Sequence, residues 1–287
     1  MRLKDLIVNS VRKLNRYNFG TERLDVDILL MHVLSCTRAD LILKADQELS
    51  EEQRMNFDKL LDRRENGEPI AYITGEKGFY KHTFVVRPGV LIPRPETELL
   101  VELALDWIRE NNKQNLTILD LGCGSGCIGL CVINELPQAK LIAIDKSDIA
   151  LEVTEMNAKR LKLKNRTQVL KANITDNPFY LDSDAYDIEL IVANPPYVNR
   201  RDPDLDMRTL KHEPEEALFA REAGLADIYL WMRRSTEILP SGGLLLMEIG
   251  SQQGKNVIEF LELENLFSRY EILKDLAGKD RAVRCIK

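Results

Sequence analysis

The second half of the chain alternates between apolar segments of strand length and amphipathic segments of helical length. This alternation limits the folds open to the chain more than any other feature. Strands are predicted at residues 116–121, 140–144, 167–170, 188–193, 243–249, 270–273 and 282–286. Helices are predicted between them at residues 126–136, 150–161 and 225–239. The pattern is typical of an α/β protein with a doubly wound, Rossmann-like sheet that carries helices on both faces.

The first 68 residues follow a helical pattern instead. Apolar residues recur at the spacing of one helix face from Leu3 to Leu14. Ser50 and Gln53 form the signature of a capping box, which predicts a further helix starting there. We therefore predict a small N-terminal helical domain over residues 1–68 and a larger α/β domain over residues 93–287.

Residues 69–92 separate these two domains and are predicted to form a β-hairpin linker. Ile70–Thr74 and Phe79–Val86 resemble strands, and Gly75–Gly78 between them is typical of a turn. After the linker, Pro93–Glu98 is predicted to open the first helix of the α/β domain.

A glycine-rich loop, Asp120–Gly126, follows the first predicted strand of the α/β domain. Glycines there permit a tight turn and let a ligand approach the backbone at the N-terminus of the next helix. Asp145 ends the following strand, where a carboxylate can accept both hydroxyl groups of a ribose. The two features predict a cofactor that contains a nucleoside.

Two kinds of cofactor match the glycine pattern. Gly124–Gly129 also fits the fingerprint of dinucleotide-binding proteins. Asp120 favours S-adenosylmethionine, because a carboxylate beside the glycines would repel a pyrophosphate but suits an amino group and a sulfonium. The alternative for Asp120 is an ordinary cap at the end of a strand.

The sequence Asn194-Pro195-Pro196-Tyr197 follows a predicted buried strand, so it should face the ligand crevice of the sheet. An amide or aromatic amine nitrogen is a poor nucleophile, and its N–H groups need acceptors that fix its orientation. Asn194 offers a side-chain oxygen, Pro195 offers a carbonyl, and Tyr197 can stack on a planar group. We predict Asn194, Pro195 and Tyr197 as catalytic residues; the alternative is a rigid turn without chemistry.

Cys123, Cys127 and Cys131 lie on one face of a predicted helix. Cysteines at this spacing could hold a metal ion or an iron–sulfur cluster, or they could pack in the core. Cysteine packs as a small hydrophobic residue, and no histidine lies nearby in the sequence. We therefore predict core packing and no metal site.

The charge of the chain disfavours direct binding of nucleic acid. The net charge is −6, and residues 1–75 contain 12 basic and 13 acidic side chains. Nucleic-acid enzymes usually present a basic face to the phosphates. No apolar run approaches the ~20 residues that span a bilayer, and charges interrupt Met1–Val8. We expect a cytoplasmic protein without membrane contact.

The combination of Asp-x-Gly-x-Gly-x-Gly with Asn-Pro-Pro-Tyr resembles the amino-methyltransferases of the class I fold. That group includes DNA adenine, ribosomal RNA guanine and protein glutamine methylases. Further segments are similar to the release factor glutamine methyltransferases (PrmC, also called HemK), namely Tyr72–Phe79, Leu91–Glu98, His212–Leu218, Met247–Gln253 and Asp275–Arg281. The similarity covers most of the chain, with a looser match in the first helices.

The resemblance implies S-adenosylmethionine as the cofactor. It implies cofactor contacts at Gly122, Cys123, Gly124, Ser125, Gly126, Asp145, Asn173, Ile174 and Asn194. It also implies that Asn194, Pro195, Pro196 and Tyr197 hold the target amide. The sequence departs from the family pattern at Ala223, where an aspartate is common, and at Ile174, where some members carry an aromatic residue that would pack on the adenine.

The resemblance further implies that Arg94 and Glu96 lie near a substrate entrance; the alternative is the solvated first turn of a helix. It implies that the N-terminal helical domain holds the partner, a class-1 peptide chain release factor. The methyl acceptor would be the side-chain amide nitrogen of the glutamine in the partner's Gly-Gly-Gln motif. Alternatives are a glutamine of a ribosomal protein and an exocyclic amine of DNA or RNA. A scaffold without catalysis should carry a damaged glycine loop or Asn-Pro-Pro-Tyr, and both are intact.

Overall fold

The structure is a computed structural model that describes residues 1–176, 179, 181, 186–201 and 210–287. The chain divides into two compact units. The first contains Met1–Glu76 and a short segment that ends at His212, and the second contains most of the chain from Lys77 onwards. The boundary at Glu76 falls inside the predicted linker.

Helices dominate the first unit, as the sequence pattern predicted. They are α1 (Leu3–Leu14), α2 (Glu22–Leu34), α3 (Arg38–Leu43), α4 (Glu51–Glu65) and α5 (Ile70–Thr74). Ser50 Oγ accepts a hydrogen bond from the Gln53 N–H at 3.2 Å, and the Gln53 side chain accepts one from the Ser50 N–H at 3.0 Å. These two bonds confirm the predicted capping box, which satisfies free N–H groups at the start of α4.

A buried ion pair joins α2 to α4 beside the apolar core of this unit. Arg64 Nε donates to Asp25 Oδ2 at 2.7 Å, and the two side chains are only 8% and 6% exposed. The guanidinium also lies 3.7 Å from the centroid of the Phe19 ring. Each charge therefore depends on the other, because a lone charge is costly in this environment.

The predicted β-hairpin exists, but its first strand was placed wrongly. Ile70–Thr74, predicted as a strand, forms helix α5, and Gly75 ends that helix with φ +76°. The strands are β1 (Glu76–Phe79) and β2 (His82–Val85), and the hairpin turn lies between them at Tyr80. The glycine that the sequence suggested for the hairpin turn is thus a C-terminal helix cap, a position that also requires a left-handed backbone.

The second unit is built on strands that match the sequence prediction. They are β3 (Thr117–Leu121), β4 (Lys140–Asp145), β5 (Thr167–Lys171), β6 (Ile188–Ala193), β7 (Leu244–Glu248), β8 (Arg269–Lys274) and β9 (Asp280–Ile286). Their order in the sheet is β5-β4-β3-β6-β7-β9-β8. Strands β3 to β7 run parallel, whereas β9 is antiparallel to β7 and β8. The antiparallel edge was not predicted.

The order of the strands reverses between β3 and β6. From β3 the chain moves outward through β4 and β5 and then returns to pair β6 with the other side of β3. The register opposes Leu121 to Ala193, so the loops that follow these two strands start side by side. Ligands of doubly wound folds bind at such a switch point, beyond the carboxyl ends of the strands.

Helices cover both faces of the sheet. They are α6 (Glu98–Glu110), α7 (Cys127–Glu135), α8 (Asp148–Arg160), α9 (Glu215–Leu218), α10 (Ala226–Ile238) and α11 (Gly254–Glu264). Neighbouring residues Ile118 and Leu119 of β3 belong to the two different core clusters, one with Leu130 of α7 and one with Met232 of α10. No helix in the described residues is long and apolar enough to cross a membrane.

The three cysteines of the predicted helix face are buried in the core. Cys123, Cys127 and Cys131 all pack in the cluster that contains α7. Burial raises the pKa of Cys127 to about 12, so this thiol stays protonated at neutral pH. Their environment is the one expected from core packing.

We expect Arg64→Ala to lower the free energy of unfolding by ~3–5 kcal/mol, because it leaves the buried Asp25 carboxylate without its charged partner and with only the hydrogen bond from the Thr21 hydroxyl. Arg63→Ala is the matched control. Arg63 pairs with Glu68 at 2.5 Å, but the Arg63 side chain is 41% exposed, and an exposed pair contributes only ~0–1 kcal/mol. Urea unfolding followed by circular dichroism measures both. Equal losses in the two variants would contradict the assigned role of the buried pair.

Candidate active site

A cavity of about 300 Å³ opens at the switch point of the sheet, entirely within the second unit. The loops after β3, β4, β5 and β6 contribute to its wall. Of the residues predicted for the site, those that line it are Arg94, Gly122, Cys123, Gly124, Ser125, Asp145, Asn173, Ile174, Asn194 and Pro196. The predicted site residues that do not line it are Glu96, Asp120, Gly126, Pro195 and Tyr197.

The glycine loop takes a backbone course that residues with a side chain would strain. Gly122, Gly124 and Gly126 have φ angles of +71°, +55° and +74°. A Cβ on Gly122 would lie 2.4 Å from the ring of Trp231, which forms part of the cavity wall. The N–H groups of Gly122 and Cys123 both donate to the Ile144 carbonyl at 2.9 Å. The loop is thereby attached to the end of β4.

Asp145 lies at the end of β4 with both carboxylate oxygens oriented by backbone groups. Oδ2 accepts from the Gly124 N–H at 3.0 Å, and Oδ1 accepts from the Ser147 N–H at 2.9 Å. Burial raises the pKa of this carboxyl, while the two N–H donors act in the opposite direction. A carboxylate oxygen has more than one lone pair, so both oxygens keep acceptor capacity for hydroxyl groups in the cavity.

Asp120 lies behind the cavity wall. Its Oδ2 accepts from the Gly129 N–H in the first turn of α7 at 2.9 Å, and the residue is 1% exposed. Burial raises the pKa of Asp120 to about 7, although the N–H donor opposes the shift. Asp120 thus bonds a backbone N–H of the helix that follows its strand, a structural contact that is close to the alternative of a cap at the strand end. The position gives no support to a direct contact with a cofactor.

The loop Asn194–Tyr197 is held from beneath by two side chains. Asn194 Nδ2 donates to Thr97 Oγ1 at 3.3 Å, and the Tyr197 hydroxyl donates to Glu248 Oε1 at 2.8 Å. Tyr197 therefore points to a buried carboxylate, and its predicted stacking on the target group has no support in this position. Burial and the neighbouring Glu248 both raise the pKa of Tyr197.

A second segment, from Leu218 to Gly224, lies against the same loop. The Val198 N–H donates to the Leu218 carbonyl at 2.9 Å. Gln253 Nε2 donates to the Tyr197 carbonyl at 3.0 Å. A Cβ on Gly224 would lie 2.0 Å from that same carbonyl oxygen. Glycine at this position is therefore required by close contact as well as by its φ of +89°.

Arg94 lines the cavity and is fixed by a buried acid. Arg94 Nη2 donates to Glu213 Oε1 at 2.5 Å, and the Ile92 N–H donates to Glu213 Oε2 at 3.0 Å. Glu96, by contrast, is exposed and lies off the cavity. The two residues predicted for a substrate entrance are thus separated: Arg94 is available to a ligand, and Glu96 fits the solvated-turn alternative.

Sequence reasoning missed four residues that shape this site: Thr97, Glu213, Trp231 and Glu248. One signal was the acidic residue directly after the apolar run Leu244–Met247, which indicates a buried charge at a strand end. Another was that Thr97, Glu213 and Glu248 lie in the segments that carry the family resemblance, although those segments do not say what each residue does. Thr97 and Glu213 lie in stretches rich in charged residues, and nothing in the sequence indicates that these two side chains are the buried ones.

The chain matches two known sequence families. Residues 5–75 match the family described as "PrmC N-terminal domain", and residues 96–216 match the family described as "Methyltransferase small domain". Among solved structures, the catalytic domain of human METTL16 in complex with an RNA hairpin aligns with a TM-score of 0.54. That alignment has 15% identity and covers 71% of this chain and 75% of the other. The fold and the glycine-loop site define a class I methyltransferase.

Curated relatives identify the family more narrowly. The release factor glutamine methyltransferase of Aliivibrio fischeri is 37% identical over 98% of this chain and 96% of the relative. That of Escherichia coli is 39% identical over 90% of each chain, and that of Coxiella burnetii is 38% identical over 91% of this chain and 90% of the relative. The chain belongs to the family of release factor glutamine methyltransferases.

We expect Asp120→Asn to stabilise the cofactor-free protein at pH 8 by up to ~4 kcal/mol and to change little near pH 4. The folded-state pKa of about 7 lies above the ordinary value of 3.8. The folded state therefore holds the proton more tightly, and stability falls as the pH rises from ~4 to ~7. Asparagine keeps the acceptor for Gly129 without the charge. Urea unfolding at several pH values tests this. Asp148→Asn, on an exposed aspartate, is the control, and equal pH dependence in parent and Asp120→Asn would contradict the assignment.

Proposed function

We propose that this protein transfers a methyl group from S-adenosylmethionine to the side-chain amide nitrogen of a glutamine. The proposed glutamine is the one in the Gly-Gly-Gln motif of class-1 peptide chain release factors. The observation that carries the proposal is the position of Asn194. Its side chain lines the cavity beside the glycine loop, and its Nδ2 is bonded to Thr97, so that Oδ1 is left as an acceptor for the target. Such a reaction belongs in the cytoplasm, where release factors act.

The residues around the cavity fit S-adenosylmethionine. Asp145 offers two oriented carboxylate oxygens to ribose hydroxyls, and the glycine loop lets the ligand approach the backbone. Asn173 and Ile174 also line the cavity, where Ile174 offers an apolar surface to a purine. In its ionised form Asp120 behind the loop carries negative charge, which favours a cationic ligand over a pyrophosphate, and its pKa of about 7 leaves it partly ionised at neutral pH.

When bound, S-adenosylmethionine supplies an electrophilic methyl group carried on a sulfonium. The task of this chain is to orient a poor nucleophile. An amide nitrogen shares its lone pair with the carbonyl, and acceptors that hold both N–H groups restrict the rotation of the amide. Asn194 Oδ1 is the proposed acceptor at the cavity, and the carbonyl of the adjacent Pro195, a residue outside the cavity lining, is the proposed second acceptor. The missing N–H groups of Pro195 and Pro196 keep the loop free of competing donors. Orientation of this kind supplies much of the acceleration in transfer reactions.

The proposed substrate suits a cavity of about 300 Å³. Glycines that flank the target glutamine let its backbone approach without side-chain clashes. A single loop offers little contact area, so affinity requires a second contact elsewhere on the partner. The first unit supplies a candidate surface at the end of α3, where Ile42 and Leu43 are 70% and 82% exposed. Exposed apolar pairs of this kind often mark protein contacts.

Nucleic acid is the weaker alternative. The human METTL16 domain was solved in complex with an RNA hairpin, but it is only 15% identical to this chain. A similarity at that level supports a common fold and says nothing about the substrate. The net charge of −6 disfavours a phosphate-binding groove. A glutamine in a ribosomal protein remains the nearer competitor, since it needs the same chemistry at the amide.

We expect Asn194→Ala to methylate a release factor at least ~100-fold more slowly than the parent, because it removes an acceptor needed in the transition state. Binding of S-adenosylmethionine should stay within about tenfold, since the other cofactor contacts are intact. Turnover with labelled cofactor and calorimetric titration measure the two quantities. Asn199→Ala, on the same segment beyond the cavity lining, is the control. Normal turnover by Asn194→Ala would refute the proposed mechanism.

We expect Leu43→Asp to raise KM for an intact release factor by at least about tenfold while leaving KM for a short Gly-Gly-Gln peptide unchanged, since only the intact protein uses both contacts. Leu263→Asp, at a leucine of the second unit that is also 82% exposed, is the matched control. Mass spectrometry of the parent reaction should find one added methyl group on the glutamine of the motif. A methyl group on RNA, DNA or another protein, with the release factor untouched, would reject the substrate.

A further inference from the structure

A buried carboxylate lies beneath the Asn194–Tyr197 loop without direct access to the cavity. Glu248 ends β7, is 1% exposed, and accepts a hydrogen bond from the Tyr197 hydroxyl through Oε1. Its Oε2 has no partner of good hydrogen-bond geometry among the described residues. Burial raises the pKa of this carboxyl, Arg281 lowers it, and Glu96 raises it. Burying a carboxylate at the end of a strand has a high desolvation cost, so the presence of Glu248 there requires an explanation.

Thr97 connects this carboxylate to the amide of the site. The residue is 2% exposed, and its hydroxyl oxygen accepts from Asn194 Nδ2 at 3.3 Å. The Thr97 side chain also lowers the pKa of the Glu248 carboxyl, whose Oε2 is the acceptor left without a partner of normal hydrogen-bond geometry. A hydroxyl has one proton and two lone pairs. With one lone pair taken by Asn194, the proton is left for Glu248.

We propose that Thr97 and Glu248 are positioning residues that fix which way round the Asn194 side-chain amide faces the substrate. This inference rests on the proposed methylation of an amide. In its ionised form the Glu248 carboxylate only accepts hydrogen bonds: Tyr197 donates to Oε1, and in this proposal the Thr97 hydroxyl donates to the unpartnered Oε2. Thr97 must then accept from Asn194, which turns Nδ2 inward and Oδ1 toward the cavity.

The direction of these bonds matters because the two ends of an asparagine amide have opposite roles. Oδ1 facing the cavity accepts an N–H of the target amide, whereas Nδ2 in that place would set two donors against each other. Rotation of the Asn194 amide by half a turn changes little in shape. Packing therefore discriminates poorly between the two orientations of the Asn194 amide, and the direction of its hydrogen bonds determines which orientation is adopted.

The decisive variant is Glu248→Gln, which keeps the shape but gives the side chain an NH₂ group. That group can donate to Thr97, which can then donate to Asn194 Oδ1 and reverse the amide. We expect kcat to fall by at least about 30-fold, on the scale of losing a positioned polar group. The affinity for S-adenosylmethionine and KM for the release factor should change less than about threefold. Glu262→Gln, on the exposed face of α11, is the matched control.

Variants of Thr97 test whether Glu248 acts through it. Thr97→Ser keeps the hydroxyl and should retain kcat within about threefold, whereas Thr97→Val should lose activity. The double variant Thr97→Val/Glu248→Gln should be no slower than Thr97→Val, because the second change acts through a connection already broken. Independent, multiplying losses would overturn the proposal, as would normal kcat in Glu248→Gln.

An NMR measurement separates this inference from the proposed function. The side-chain amide signals of Asn194 are identified by their loss in Asn194→Ala. They should shift in Glu248→Gln and in Thr97→Val and stay in place in Glu262→Gln. Unchanged signals in Glu248→Gln would overturn the positioning role even if catalysis is impaired. Shifted signals in a protein that fails to methylate release factors would reject the proposed substrate alone.

Discussion

The parallel pairing of β3 with β6 is the constraint on which the site depends. Its register opposes Leu121 to Ala193, so the glycine loop and Asn194 begin as neighbours at one edge of the sheet. A slip of one residue would reverse the faces of every side chain in β6 and move Asn194 relative to the loop. Close packing opposes this slip, because the side chains of β3 and β6 fill two separate core clusters whose shapes match only one register. The apolar core thus fixes the distance between the proposed cofactor and acceptor groups.

Buried carboxylates then attach the loops to this framework. Asp120 holds the start of α7, Glu213 holds Ile92 and Arg94, and Glu248 holds Tyr197. Each acid is at most 4% exposed. A carboxylate accepts several hydrogen bonds in fixed directions, so it can join separate chain segments where apolar contacts would leave their orientation undefined. Burial of the three acids has a desolvation cost. In return, their hydrogen bonds fix the geometry of the loops around the cavity.

Much of this arrangement could be predicted from the sequence, and the failures have physical causes. The strands of the parallel sheet and the cavity positions of Asp145 and Asn194 follow from local pattern and from the rule for strand ends. The hydrogen bond of Tyr197 could not be predicted, because its partner Glu248 is distant in the chain and only the fold brings the two together. Ile70–Thr74 was misjudged because a short apolar segment followed by glycine suits a strand or a helix equally. Burial of particular acids is likewise a property of tertiary contacts.

The contact between Gly224 and the Tyr197 carbonyl has a consequence for how such a protein can change over evolutionary time. There is no space for even one methyl group between the two segments, and Gln253 binds the same carbonyl from a third. A substitution that moved any one of them would disturb the other two. The three segments should therefore change together or not at all. Variation should be found instead in exposed surfaces such as the end of α3, where a new side chain displaces no packed neighbour.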